Sequence, residues 1–94
     1  MALALRRREL MIAEAQIYAA LTRIFRDVLD REDLELRADL AARDVPEWDS
    51  FAHVNIIVGT EMQFGIKFMT AELERLCTVG EFVALIAGKL EASG

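Results

Sequence analysis

Between positions 49 and 53 the chain places a carboxylate (Asp49), a hydroxyl (Ser50) and an imidazole (His53). These are the parts of a nucleophilic hydrolase, in which the imidazole takes the serine proton and the carboxylate orients the imidazole. The spacing argues against that use. No G-x-S-x-G elbow surrounds Ser50, the sole histidine lies three residues on in the same helical run, and no oxyanion pocket is evident. A zinc site is excluded by number, because His53 and Cys77 are the chain's single histidine and cysteine and an ordinary site takes about four ligands. Two readings of Ser50 remain. It starts a helix, as serine often does, or it offers its hydroxyl to another enzyme for esterification. A phosphodiester at that position would lie near the positive end of the helix dipole and near free backbone N–H groups.

The elements that hold Ser50 can be read from spacing. Ile17, Leu21, Ile24 and Val28 recur at helical intervals, with Phe25 and Leu29 widening the stripe, and predict a first helix. Its start is open. "ALALRRREL" either extends the helix or forms an exposed arm, with order expected from about residue 10 and the arginine triplet read as a solvated helix end. From 30 to 49 the pattern weakens to isolated Leu34, Leu36, Leu40 and Val45 among charges. So long a connection predicts a functional loop, or turns pinned to the core by those leucines. Pro46 disfavours helix at Val45, and Trp48 is expected to shield the junction that follows.

The second helix is expected over 50–64, capped by Asp49 and stopped by Gly65. Phe51, Val54, Ile57, Val58 and Met62 form one broad apolar face, which leaves Ala52, His53, Asn55, Thr60 and Gln63 outside. Gly59 inside it predicts close packing. "TAELERL" reads as a short helix capped by Thr70. "TVGEFVALIAGKL" reads as a last helix, with Thr78 and Glu81 as capping box and Val79, Phe82, Val83, Ile86 and Leu90 buried. The fold class is all-α: a small four-helix bundle of three longer helices and one short one, with a long first loop. Residues 1–11 form an N-terminal arm, 12–91 the domain and 92–94 a tail.

Composition agrees. A 94-residue chain makes one domain, 54% hydrophobic content suffices for a core, and five glycines with one proline do not suit a many-turned β sandwich. The net charge of −5 is uneven: residues 1–43 hold eight basic and eight acidic side chains, whereas 44–94 hold three and eight. An acidic half without a basic recognition helix excludes nucleic acid as a partner. Cys77 can form no intramolecular disulfide and is expected to be a small buried hydrophobe. No run reaches the roughly 18 apolar residues of a membrane span, and arginines following a short apolar start reverse the order of a signal peptide. A cytoplasmic monomer is the expectation.

Three blocks in order, "DSF" at 49–51, "HVNIIVGTEMQFGIKF" and "TVGEFVALI" at 78–86, give the chain its resemblance to the acyl carrier protein family. The likeness spans roughly residues 12 to 90. It implies that Ser50 receives 4′-phosphopantetheine from coenzyme A through a separate, magnesium-dependent phosphopantetheinyl transferase, and that the arm's thiol carries acyl or related groups as thioesters. The chain would then be no enzyme. It would present cargo to acyl-loading and acyl-using enzymes, whether ligase, synthase or transferase. Asp49 would serve transferase recognition as well as capping. Phe51 and Val54 would lie beside the arm, though core packing also accounts for Val54. Cargo would enter between the second and third helices near Val58, Met62, Phe68 and Leu73, which are core residues in the first place. The fatty-acid carriers bear many acidic residues on the second helix, but here only Glu61 is acidic. Glu47, Asp49, Glu61, Glu72 and Glu74 make at most a thin acidic rim, with Glu61, Glu72 and Glu74 as docking candidates. The departure points to a specialised carrier in lipid or secondary-metabolite synthesis. The alternative is an unmodified helical interaction domain of the same fold. His53 is expected to face solvent without a task.

Overall fold

The computed structural model describes the backbone of residues 2–93 and the side chains of residues 14–91. Four helices follow one another: α1 (Ala2–Leu29), α2 (Ser50–Phe64), α3 (Thr70–Glu74) and α4 (Val79–Ser93), with a single 3₁₀ turn at Ala42–Asp44 in the long loop. The backbone of α1 is helical from Ala2, upstream of the expected start near residue 10. Ala, Leu, Arg, Glu and Met, which make up residues 2–11, all favour helix. The reading of the arginine triplet concerns side chains outside the described residues. At the other end α4 runs to Ser93, into the expected tail.

The core is built where α1 packs against α2 and α4. Ile17, Leu21, Phe25 and Leu29 supply its wall from α1, spaced by four, while Ile24 and Val28 pack at its edge. Val79, Phe82, Val83 and Ile86 face them from α4. Each such side chain contributes roughly 1.5–3 kcal/mol by leaving water. Leu34, Leu40 and Val45 are buried and Leu36 is packed against them, so the loop is pinned by its apolar residues as its spacing predicts.

Pinning brings a second consequence that the spacing does not reveal. The loop backbone covers the start of α4: the N–H of Val79 donates to the Leu40 carbonyl at 2.9 Å, and that of Gly80 to the Ala38 carbonyl at 2.9 Å. A Cβ on Gly80 would stand 3.0 Å from both the Cβ and the carbonyl oxygen of Ala38. Glycine therefore lets the loop reach the helix end. The short helix ends at Glu74, two residues before the end of "TAELERL", and its cap lies one residue earlier than expected. Met69, not Thr70, is its cap, because the Glu72 carboxylate accepts from the Met69 N–H at 2.8 Å and fixes the turn there.

Candidate functional site

Asp49 is extended (φ −94°, ψ −175°), and its Oδ1 accepts from the Ala52 N–H at 2.8 Å while its carbonyl accepts from the His53 N–H at 2.9 Å. This is the capping geometry that an aspartate before a helix offers. Gly65 closes α2 in the left-handed region (φ 65°), its N–H bonded to the Glu61 carbonyl. Ser50 is the first helical residue and is exposed. No hydrogen bond among the described residues engages its hydroxyl, nor the N–H groups of Ser50 and Phe51. The outcome is a free hydroxyl beside two free donors at the positive end of a fifteen-residue helix.

His53 does not serve that hydroxyl as a base, and it does not face solvent idly. It is half-buried, and its Nδ1 accepts from the Trp48 Nε1–H at 3.1 Å, with the two rings stacked at 6.1 Å. An indole N–H only donates, so this bond requires Nδ1 to carry no proton. Trp48 meets Phe25 edge-on at 5.0 Å and 86°, and so does shield the loop–helix junction. The expectation of a free histidine fails because it read His53 against its own helix and not against the loop folded over it.

The broad apolar face of α2 also turns out differently. Ala52, Ile56, Ile57 and Thr60 are the buried residues, with Thr60 Oγ1 donating to the Ile56 carbonyl at 2.7 Å. Phe51, Val54, Val58 and Met62 are exposed by 79%, 59%, 46% and 80%. Val54, Val58 and Met62 are therefore not core residues, and Ala52 and Thr60 are not surface ones. The helix carries two apolar stripes, and the one bearing Ala52, Ile56, Ile57 and Thr60 is the one covered. A Cβ on Gly59 would be 3.4 Å from Ile24 Cγ2, an ordinary contact distance, so α1 lies close to α2 at this point. Asn55 and Gln63 are exposed as expected.

A cleft of about 60 Å³ lies between α2 and the segment leading into α4. Trp48, His53, Ile57, Leu76, Cys77 and Phe82 line it, and its wall is mostly apolar. None of Val58, Met62, Phe68 and Leu73 borders it. Phe68 and Leu73 instead pack against the core, the Phe68 ring lying 5.4 Å from that of Phe82. Cys77, expected to be buried, is exposed at this cleft, because it follows the end of α3 in an irregular link and has no helix face to turn inward.

The acidic rim is thinner than its residue count. Glu47 bonds Arg31 at 3.1 Å, Glu61 accepts from the Phe68 N–H at 2.9 Å, and Glu72 accepts from Lys89 Nζ at 2.8 Å. The bond to Lys89, followed by that from the Met69 N–H, holds the Glu72 carboxyl below its ordinary range. Glu74 is exposed. Thus Phe51, Val54 and Glu74 stand on the surface, whereas Glu61 and Glu72 are taken up by structure. Among the described residues no helix is long and apolar enough to cross a membrane.

No protein-family profile matches the chain. It is 38% identical over 81 residues to the acyl carrier protein of Rhodococcus erythropolis, a match covering 86% of this chain and 88% of that one. It is 34% identical over 80 residues to the meromycolate extension acyl carrier protein of Mycobacterium tuberculosis, covering 85% and 69%. Among solved structures it is similar to the solution NMR structure of a holo acyl carrier protein from Geobacter metallireducens, with a TM-score of 0.76, 39% identity, and 81% and 87% of the two chains covered.

Proposed function

The chain belongs to the acyl carrier protein family, and from that premise we propose that Ser50 is the residue to which its 4′-phosphopantetheine is joined. The carrier role and the cofactor come with the family. When bound, the group supplies a thiol that holds cargo as a thioester. One observation carries the assignment to Ser50: its hydroxyl is exposed and unengaged at the start of α2, because Asp49 caps the helix with its own carboxylate. The residues present suit a phosphodiester there, since the N–H groups of Ser50 and Phe51 are unclaimed and can face its negative oxygens.

The chain's own residues hold and present; we read them as doing no chemistry. His53 is bound to Trp48 and so is not poised to take the Ser50 proton. The mostly apolar cleft beside His53 is the shelter we assign to the cargo's first atoms, in place of the set Val58, Met62, Phe68 and Leu73. Residues 12–91 are our carrier domain, and 1–11 an arm outside the site. We place the carrier in the cytoplasm, where a phosphopantetheinyl transferase and the acyl-handling enzymes meet it, and in a specialised lipid pathway. Its likeness to meromycolate extension carriers supports that last reading.

Intact mass spectrometry tests the assignment. The folded protein, incubated with coenzyme A, magnesium and a broad-specificity phosphopantetheinyl transferase, should gain one phosphopantetheine. Ser50→Ala should gain none while keeping its helical circular dichroism. Loading of the Ser50→Ala variant would move the attachment elsewhere, and no loading of the wild type by several transferases would favour an unmodified interaction domain.

A further inference from the structure

We propose that His53 is a binding residue for the cargo's thioester: its Nε2–H donates to the carbonyl oxygen of a short, neutral acyl group lodged in the cleft. The inference rests on the Ser50 and cleft readings above and names the ligand chemistry that the cleft takes.

Trp48 sets where the imidazole carries its proton. The indole N–H can only donate, and it meets Nδ1 at 3.1 Å, so Nδ1 is the acceptor nitrogen of a neutral ring. The one ring proton then sits on Nε2. Stacking against Trp48, which itself stands edge-on to Phe25, holds the ring plane in place. Nε2 has no hydrogen-bond partner among the described residues, and none of their unpartnered side-chain nitrogens is buried. The donor is therefore oriented, unspent and open to a ligand.

The cleft that His53 lines offers little else to a polar group. The Trp48 N–H is held by His53, the Thr78 hydroxyl donates to Glu81 at 3.2 Å, and the Cys77 thiol is a weak donor. Ile57, Leu76 and Phe82 supply apolar wall. One acceptor oxygen followed by apolar carbon matches that lining, which is the pattern of an acyl carbonyl and its chain. A single water takes roughly 10–15 Å³ of such space, so about 60 Å³ admits on the order of four to six atoms. The thioester and the first carbons fill it. No lining residue other than neutral His53 could offer a cation, so a cargo carboxylate at that depth would lose its water unpaired. His53 lies three residues after Ser50, about 4.5 Å along the helix, so an arm joined to Ser50 brings its far end there by folding back along α2.

The test is NMR of the folded chain, loaded by the broad-specificity transferase from acetyl-coenzyme A with an isotope-labelled carbonyl. The imidazole nitrogens are followed in the same sample. The unloaded chain should show the His53 proton on Nε2. Acetyl loading should shift the Nε2 resonance and move the carbonyl carbon downfield of its position in acetyl-coenzyme A. His53→Phe, checked for unchanged circular dichroism, keeps a ring but no donor and should lose the carbonyl shift. His53→Gln, whose amide can both accept from Trp48 and donate, should restore part of it. The holo chain with a free thiol and the malonyl-loaded chain should keep the unloaded His53 spectrum. A proton on Nδ1, or acetyl loading that leaves both wild-type signals unmoved, would overturn the proposal and leave Ser50 as the attachment site. A full shift in the holo chain would overturn the thioester as acceptor by giving the donor to an amide of the arm. An equal shift with malonyl would overturn the restriction to neutral cargo. If the folded wild type is not loaded at all, the Ser50 assignment fails and the role of His53 falls with it.

Discussion

The N-termini of α2 and α4 are built from the same materials and left in opposite states. Each follows a capping residue, Asp49 or Thr78, and each begins a fifteen-residue helix. At α4 the long loop lies across the end, and carbonyls of Leu40 and Ala38 take the first two N–H groups. At α2 the cap engages the Ala52 N–H and nothing covers Ser50 or Phe51. One helix end is closed by its own chain; the other is open to an incoming anion. A capping motif alone therefore does not make a site: α4 has one, with Thr78 Oγ1 accepting from the Glu81 N–H at 3.3 Å, and its donors are already spent.

Altering the closed end should have the largest effect on stability. Gly80→Val puts a side chain against Ala38 and should destabilise the fold by about 1–3 kcal/mol, as overpacking does. Thermal melting should show a Tm drop of several degrees, while loading of the folded fraction continues. An unchanged Tm would mean that the loop does not close α4 as described.

The two caps should then differ. Asp49→Ala removes a 2.8 Å bond at an end with no other cover and should cost about 1 kcal/mol, the usual worth of such a cap. Thr78→Ala removes a 3.3 Å bond at an end the loop already covers, and should cost less than half as much. Chemical denaturation midpoints of the two variants measure the difference directly, and equal losses would erase the contrast between the ends.

The smallest effect concerns the tie between α3 and α4. Glu72 is held below its ordinary pKa by Lys89 and by the Met69 N–H, so the stability it adds is present above the unfolded carboxylate value and is lost as pH falls through the lower folded value. Melting curves of the wild type and Lys89→Met should therefore be offset at neutral pH. They should converge only in acid below the depressed folded value, where the glutamate is protonated in the folded and the unfolded chain alike. An offset that persists into acid would assign the difference to Lys89 packing over Phe68, 5.8 Å from the ring centroid, and not to the ion pair.

Much of this was legible before folding, and the parts that were not share a cause. Asp49, Ser50 and Gly65 mark α2 to the residue, because a cap and a left-handed glycine act within one turn. The leucines of the loop announce their burial by being isolated among charges. The surroundings of His53 and Cys77, and the cleft they border, were not legible, because each takes its neighbours from a segment outside its own helix or from a link with no periodicity. The bond from Trp48 to His53 had one available signal, an indole donor five residues before the only imidazole.

The apolar faces of α2 divide the two kinds of information most sharply. Local sequence determined that a helix runs from Ser50 to Phe64, that Asp49 caps it, and that its apolar residues recur at the helical period. Hydrogen bonds within a turn and the 3.6-residue period suffice for that. Which stripe is buried was decided only when α1 came to lie on α2. Ala52, Ile56, Ile57 and Thr60 are covered there, and Phe51, Val54, Val58 and Met62 are left outside because they lie on the other side of the helix. The residues that hydropathy alone would send to the core thereby stand in solvent beside Ser50.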